Sequence, residues 1–192
     1  MSIIKSTTRK KNRIIWMVVI AFGFIMLGIA LLISLLFSKS PSETFELFSV
    51  EPVEVNYQAP QIELKDLSLQ EVSLNDFRKN IILVNNWATW CPPCKAEMPT
   101  LQNYYQDHKE DGFVIIAIES GEAVQEVTDF ARKYSLTFPI WIDPEGIALE
   151  IFKNWDLPSS YVIDRQGIVR LTWTGAIDRK KLDEFVTPLL DE

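Results

Sequence analysis

The sequence predicts an α/β domain with a mixed central sheet flanked by helices, preceded by an N-terminal transmembrane helix. Three observations lead there. From residue 81 onward, short apolar runs rich in β-branched residues alternate with segments of helical periodicity, as in parallel strands joined by helical crossovers. Ser160–Ile163 and Ile168–Trp173 flank Asp164-Arg165-Gln166-Gly167, which reads as an antiparallel hairpin and makes the sheet mixed. Near the start, Ile14–Phe37 runs for 24 residues without a charge.

As a helix, that uncharged run would be roughly 36 Å long, against a hydrocarbon core of ~30 Å. A cleaved signal peptide has a shorter apolar core, about 7–15 residues, and a small-residue cleavage site. Leu36-Phe37-Ser38-Lys39-Ser40 offers no such site, so an uncleaved signal anchor is expected. Lys5, Arg9, Lys10, Lys11 and Arg13 precede the run without any acid, and Lys39 alone follows closely. The positive-inside bias keeps residues 1–13 in the cytoplasm and exports everything after Phe37. The expected organisation is a basic N-terminus (1–13), an anchor (14–37), a tether (38–58) and one domain (59–192). Val50, Val53, Val55 and Tyr57 mark part of the tether as a candidate edge strand.

Charge excludes some partners. The chain has 19 basic and 26 acidic residues, and the exported part keeps 14 of the basic ones, leaving it near −12. Such a surface repels nucleic acid and disfavours anionic lipid. Cys91 and Cys94 are the two cysteines in 192 residues, so no long-range disulfide staples the fold and a hydrophobic core must hold it.

The elements of the domain follow in order. Ile62-Glu63-Leu64 and Gln70-Glu71-Val72 read as short strands around a Leu67-Ser68 turn. Ser73-Leu74-Asn75-Asp76-Phe77 reads as one capped helical turn. Ile81–Trp87 is a buried strand by its β-branched content. Pro92–Lys109 is a helix with Leu101, Tyr104 and Tyr105 at helical spacing, ended by Gly112 in a left-handed conformation. Phe113–Ile118 is a second apolar strand. Val124, Val127, Ala131 and Tyr134 mark the next helix, Phe138–Ile142 the next strand, and Ile147–Lys153 a short helix after the Asp143-Pro144 turn. Leu182, Phe185, Val186 and Leu189 give one closing amphipathic helix with Asp178 as N-cap.

The chemistry concentrates in Trp90-Cys91-Pro92-Pro93-Cys94. Closing so small a ring restricts the unfolded chain little, so this pair is a poor structural staple. At a helix N-terminus, unpaired N–H groups and the helix dipole favour a negative sulfur. A C-x-x-C between strand and helix suggests a thioredoxin-like redox motif, although the spacing also serves zinc. Structural zinc wants four N or S ligands, and the chain has two Cys and one His, His108. Haem attachment through C-x-x-C-H fails at Lys95.

The stretch from Leu83 to Lys95 (LVNNWATWCPPCK), with Pro99 after it, resembles the active site of membrane-anchored thioredoxin-like proteins of the TlpA/ResA type. Leu157-Pro158-Ser159-Ser160-Tyr161-Val162-Ile163-Asp164 is similar to their later Pro-Thr-Thr-x-x-x-Ile-Asp segment, with serines where threonines are usual. Ala59-Pro60 through Val72-Ser73-Leu74 resembles their lead-in. The likeness covers about residues 59–190 and implies a thioredoxin fold.

It also implies roles. Cys91 would be the nucleophile at the exposed helix start and Cys94 the resolving thiol, a redox-active disulfide needing no further cofactor. Pro158 would be a cis-proline facing the pair, with the Leu157 backbone pairing with a bound substrate chain. Trp90, Pro92 and Pro93 would shape the docking surface. Asn85 stands where thioredoxin has a buried aspartate, and an amide cannot shuttle a proton. Glu97, three residues after Cys94 on the same helix face, becomes the candidate base. Trp87 reads as core, and Tyr104, Tyr105, Phe130, Trp141 and Phe152 as packing.

The resemblance implies an extracytoplasmic thiol–disulfide oxidoreductase at the cell membrane that reduces exported disulfides, apocytochrome c among them. A membrane thiol reductase would supply its electrons. Two rivals stand beside it. Peroxiredoxins share the fold, but their nucleophile follows a threonine by three residues, whereas Thr89 precedes Cys91 by two. A tethered copper handler would instead use Cys91 and Cys94 as soft ligands.

Overall fold

The computed structural model describes residues 16, 17, 19–32 and 50–191, in two compact units, Met1–Thr44 and Phe45–Glu192. In the first unit, residues 19–32 are helical. Among the described residues no helix is long and apolar enough to cross a membrane. Part of the expected anchor (14, 15, 18 and 33–37), the basic N-terminus and tether residues 38–49 lie outside the described residues.

The second unit is built on one eight-stranded sheet. Its strands are β1 (Val53–Gln58), β2 (Glu63–Asp66), β3 (Glu71–Ser73), β4 (Ile81–Trp87), β5 (Phe113–Glu119), β6 (Ile140–Ile142), β7 (Ser159–Ile163) and β8 (Ile168–Thr174). Their order is β1-β8-β7-β4-β5-β6-β2-β3. β4, β5 and β6 run parallel, and the remaining pairings are antiparallel. The helices are α1 (Pro92–His108), α2 (Val124–Lys133), α3 (Ile147–Phe152), α4 (Arg179–Phe185) and α5 (Thr187–Leu190).

Both faces of the sheet are covered, and the strand period of two decides which side chain goes where. Ile81, Leu83 and Trp87 of β4 and Phe113, Ile115 and Ala117 of β5 join one core with α1, α2 and α4. Ile82 and Val84, and Val114, Ile116 and Ile118, join the opposite core, with Ala148 of α3 and Leu74 of a 3-10 turn. Asn85 therefore falls on the α1 face and Asn86 on the other. Glu119 continues the odd-numbered series of β5 and lies beside Trp87 in the register.

Local signals account for three of the element ends. The turn Leu74–Phe77 is closed by a capping box: the Asn75 N–H donates to Ser73 Oγ (3.3 Å) and the Ser73 N–H to Asp76 Oδ2 (2.8 Å). Gly112 has φ +79°, where a left-handed residue ends the helical segment. Asp178 caps α4 by accepting from the Lys181 N–H (2.8 Å).

In two elements a proline alters what the sequence leads one to expect. β6 begins at Ile140 rather than Phe138, because Pro139 accepts from the Ala117 N–H (3.0 Å) but has no N–H of its own to extend the ladder. The closing helix is broken into α4 and α5, since Pro188 cannot donate in the helical pattern. β1, where Val53, Val55 and Tyr57 marked a candidate edge strand within the tether, is an edge strand paired with β8, where the register shifts between Glu54 and Tyr57.

Candidate active site

β4, in the middle of the sheet, ends at Trp87, and Ala88, Thr89 and Trp90 turn the chain into α1. The Cys91 N–H donates to Ala88 O (3.2 Å), and Cys91 is the N-cap of α1 with extended backbone. Pro92 and Pro93 fill the first helical positions, where a missing N–H costs no intrahelical bond. Cys94 is then the first residue of the helix with an amide to offer, and that amide donates to Cys91 Sγ (3.3 Å). The two sulfurs are joined in a disulfide.

Sequence reasoning placed Cys91 at an exposed position, and the structure corrects this for the oxidised pair. Cys91 is 3% exposed and Cys94 wholly buried. In the disulfide both sulfurs turn into the α1-side core, while Trp90, 64% exposed, and the two proline rings take the surface.

The Leu157–Pro158 peptide bond is cis. Pro158 is buried, its carbonyl accepts from the Gly175 N–H (2.8 Å), and Leu157 packs against the core that contains both cysteines. Pro158 leads directly into β7, whose Ser159 and Ser160 pair with Asn86 and Asn85. The register therefore brings the two motifs, about 65 residues apart in sequence, to the same end of adjacent strands.

Glu97, one turn beyond Cys94, is fully buried. Its Oε1 accepts from Asn85 Nδ2 (2.9 Å) and its Oε2 from the Ile177 N–H (3.2 Å). Asn85 Nδ2 also donates to Ser160 Oγ (3.0 Å). Burial pushes the Glu97 carboxyl up to about 8, against the lowering effect of the Asn85 and Ile177 hydrogen bonds. A carboxyl so placed holds its proton at neutral pH and can both give and regain it.

Of the other residues singled out in the sequence, Trp87 is buried and its ring lies 4.8 Å from Phe130. Tyr104, Tyr105, Phe130, Trp141 and Phe152 all make ring contacts within the two cores. His108 pairs with Asp111 at the far end of α1. Among the described residues no group of three or more His, Cys, Asp or Glu is arranged to hold a metal ion.

Sequence reasoning missed Ser160 and Ile177 as partners in the Glu97 network. Their separations of 75 residues from Asn85 and 80 from Glu97 leave no local trace, and a backbone N–H carries no residue-type signal at all. It also missed Glu119 and Glu122. Glu122 accepts from both the Thr89 N–H (2.8 Å) and the Thr89 hydroxyl.

A disulfide at a helix start, a cis-proline at the same end of the neighbouring strand and a buried carboxyl one turn on form the arrangement of a thiol–disulfide exchange site. The sequence profile of the AhpC/TSA family matches residues 55–172. The chain belongs to that family. The chain is 36% identical over 134 residues to the thiol-disulfide oxidoreductase ResA of Geobacillus kaustophilus, covering 70% of this chain and 77% of that one. It is 34% identical over 136 residues to the ResA protein of Bacillus thuringiensis subsp. konkukian, covering 71% and 79%. Among solved structures, a thiol:disulfide interchange protein of the thioredoxin family from Chlorobium tepidum superposes with a TM-score of 0.64 at 24% identity, over 72% of this chain and 99% of that one. This AhpC/TSA-family chain thus has the thioredoxin fold and is a thiol–disulfide oxidoreductase of the ResA type.

Proposed function

We propose that the chain is a membrane-anchored reductase of exported disulfides, with Cys91 as nucleophile, Cys94 as resolving thiol and Glu97 as their proton carrier. The observation that supports it most is the buried Glu97 one turn beyond Cys94, whose carboxyl is pushed up to about 8 by that burial. In the reduced protein the Cys91 thiolate attacks a partner disulfide, forming a mixed disulfide and releasing one partner thiolate. Cys94 then gives its proton to Glu97, which has first released its own, and attacks Cys91 Sγ. The second partner sulfur leaves as thiolate, so the partner gains two electrons and Cys91–Cys94 becomes the disulfide.

Recycling runs the same steps backwards. A donor dithiol attacks Cys91 Sγ, and Cys94 departs as a thiolate that takes the Glu97 proton. Leu157 and Pro158 would hold the partner chain beside the sulfurs, and Trp90, Pro92 and Pro93 would form the surface it meets. No cofactor beyond the dithiol enters these steps. The basic residues 1–13 and the uncharged run Ile14–Phe37 support an anchor with the domain outside the cytoplasm. Apocytochrome c is the proposed substrate and a membrane thiol reductase the proposed donor, both from the resemblance to ResA-type proteins.

The test is Cys94→Ser in the full-length, membrane-bound chain. Lacking the resolving thiol, it should retain partners as mixed disulfides on Cys91, recoverable by non-reducing electrophoresis and identified by mass spectrometry. Recovery of apocytochrome cysteines supports the reading. Absence of any adduct in cells that still make the protein overturns it.

A further inference from the structure

A pair of carboxyl groups outside the dithiol network grips the loop that carries Cys91. Glu119, the last residue of β5, is wholly buried. Its Oε2 accepts from the Glu122 N–H (3.3 Å), and its Oε1 is buried with no donor from any other residue. The Glu119 and Glu122 carboxyls are within hydrogen-bonding reach of each other. Two carboxylates cannot hydrogen-bond, so the contact is satisfied only when one proton sits between them. Both acceptor oxygens of Glu122 are in turn spent on Thr89, its N–H and its hydroxyl, two residues before Cys91.

We infer that one proton shared by Glu119 and Glu122 locks the Thr89–Cys91 loop, which makes both glutamates positioning residues for the Cys91 sulfur. The charges around the pair favour this arrangement. Asp143, from the loop after β6, adds negative charge beside Glu119, and Lys95 of α1 adds positive charge beside Glu122. Burial first, then the Glu122 carboxyl and Asp143, push Glu119 up to about 8. Burial works against charge on Glu122 too, but the hydrogen bonds from Thr89 and Glu119, with Lys95, hold it below the usual carboxylate range. The proton therefore rests on Glu119. When it leaves to solvent, two like charges face each other in a buried site, and Glu122 is driven away from Thr89.

Glu119→Gln supplies a permanent N–H donor in place of the proton and should make the lock independent of pH. The proposal rests on the oxidoreductase reading only for its consequence at Cys91; the lock itself can be observed without any redox assay. In the oxidised, isotope-labelled protein, the Thr89 amide resonance should shift in one step with a midpoint near 8. The step should vanish in Glu119→Gln and persist in Glu97→Gln, which separates it from the other raised carboxyl. Reduction of the disulfide by a small dithiol should proceed equally in wild type and Glu119→Gln at pH 6.5. At pH 9.5 wild type should differ by about three- to tenfold, as expected for loss of a hydrogen bond. A Thr89 step that survives in Glu119→Gln, or is lost in Glu97→Gln, overturns the assignment. So does a wild-type to Glu119→Gln rate ratio that stays constant with pH.

Discussion

Glu97 is the residue whose position decides most. In a helix exposed on one side, a glutamate three residues after a cysteine would be an ordinary surface acid. Here its carboxyl is buried against Asn85 and Ile177. Removing its proton while keeping its shape, with Glu97→Gln, should slow reduction of the oxidised protein by its donor at pH 7 by on the order of 10²-fold, the lower range for a lost general acid. The wild-type rate should itself decline as pH passes about 8, because below that value the carboxyl holds the proton that the departing Cys94 sulfur needs. Stopped-flow reduction across pH 6–9.5 checks both, and a variant as fast as wild type removes Glu97 from the mechanism. At this scale the sequence was partly legible. Cys91, Cys94 and Glu97 stand close together in the chain, whereas the donors that hold Glu97 come from β4 and from the segment after β8 and are joined to it only by folding.

The elements repeat that division. Strands with strong apolar character, β4 and β5, and helices with clear spacing, α1 and α2, were readable because burial on the sheet imposes the same pattern that the sequence shows. What the sequence obscured was the effect of single prolines: Pro139 shortens β6 and Pro188 splits the closing helix, each by lacking one N–H. The capping box at Ser73 was visible as a capped turn, and Ser73→Ala should destabilise the fold by about 1 kcal/mol. On α1, Leu101 is fully buried, and Leu101→Ala should cost about 2–5 kcal/mol through the cavity it leaves. Urea unfolding of the oxidised protein measures both. Because Leu101 lies two turns beyond Cys94, the exchange rate of the folded fraction should be unchanged; a large change would mean that α1 does not hold the sulfurs as a rigid unit.

For the whole molecule, the two raised carboxyls set a direction of pH dependence. Glu97 and Glu119 each bind their proton more tightly in the folded protein, near 8, than in the unfolded chain, where the ordinary value is 4.5. Between those values the folded state holds more protons, so stability is fullest below about 4.5 for these two groups and falls as pH rises through 8. The urea midpoint of the oxidised protein should therefore drop from pH 5 to pH 9, and Glu97→Gln should flatten part of that slope. A rising midpoint over this range would contradict the burial of both groups. One further consequence lies where the chain enters the sheet. The Val50 N–H donates to Ala176 O (3.2 Å), and the next residue, Ile177, donates to Glu97 Oε2. A Cβ on Gly175, at φ +108°, would come within 2.7 Å of Val50 Cγ1, so the three segments fit closely. A pull on the polypeptide leading to residue 50 would arrive, one peptide unit later, at the cradle of the acidic group, so trimming the chain to start at residue 54 should retune proton release there while sparing every residue that touches sulfur.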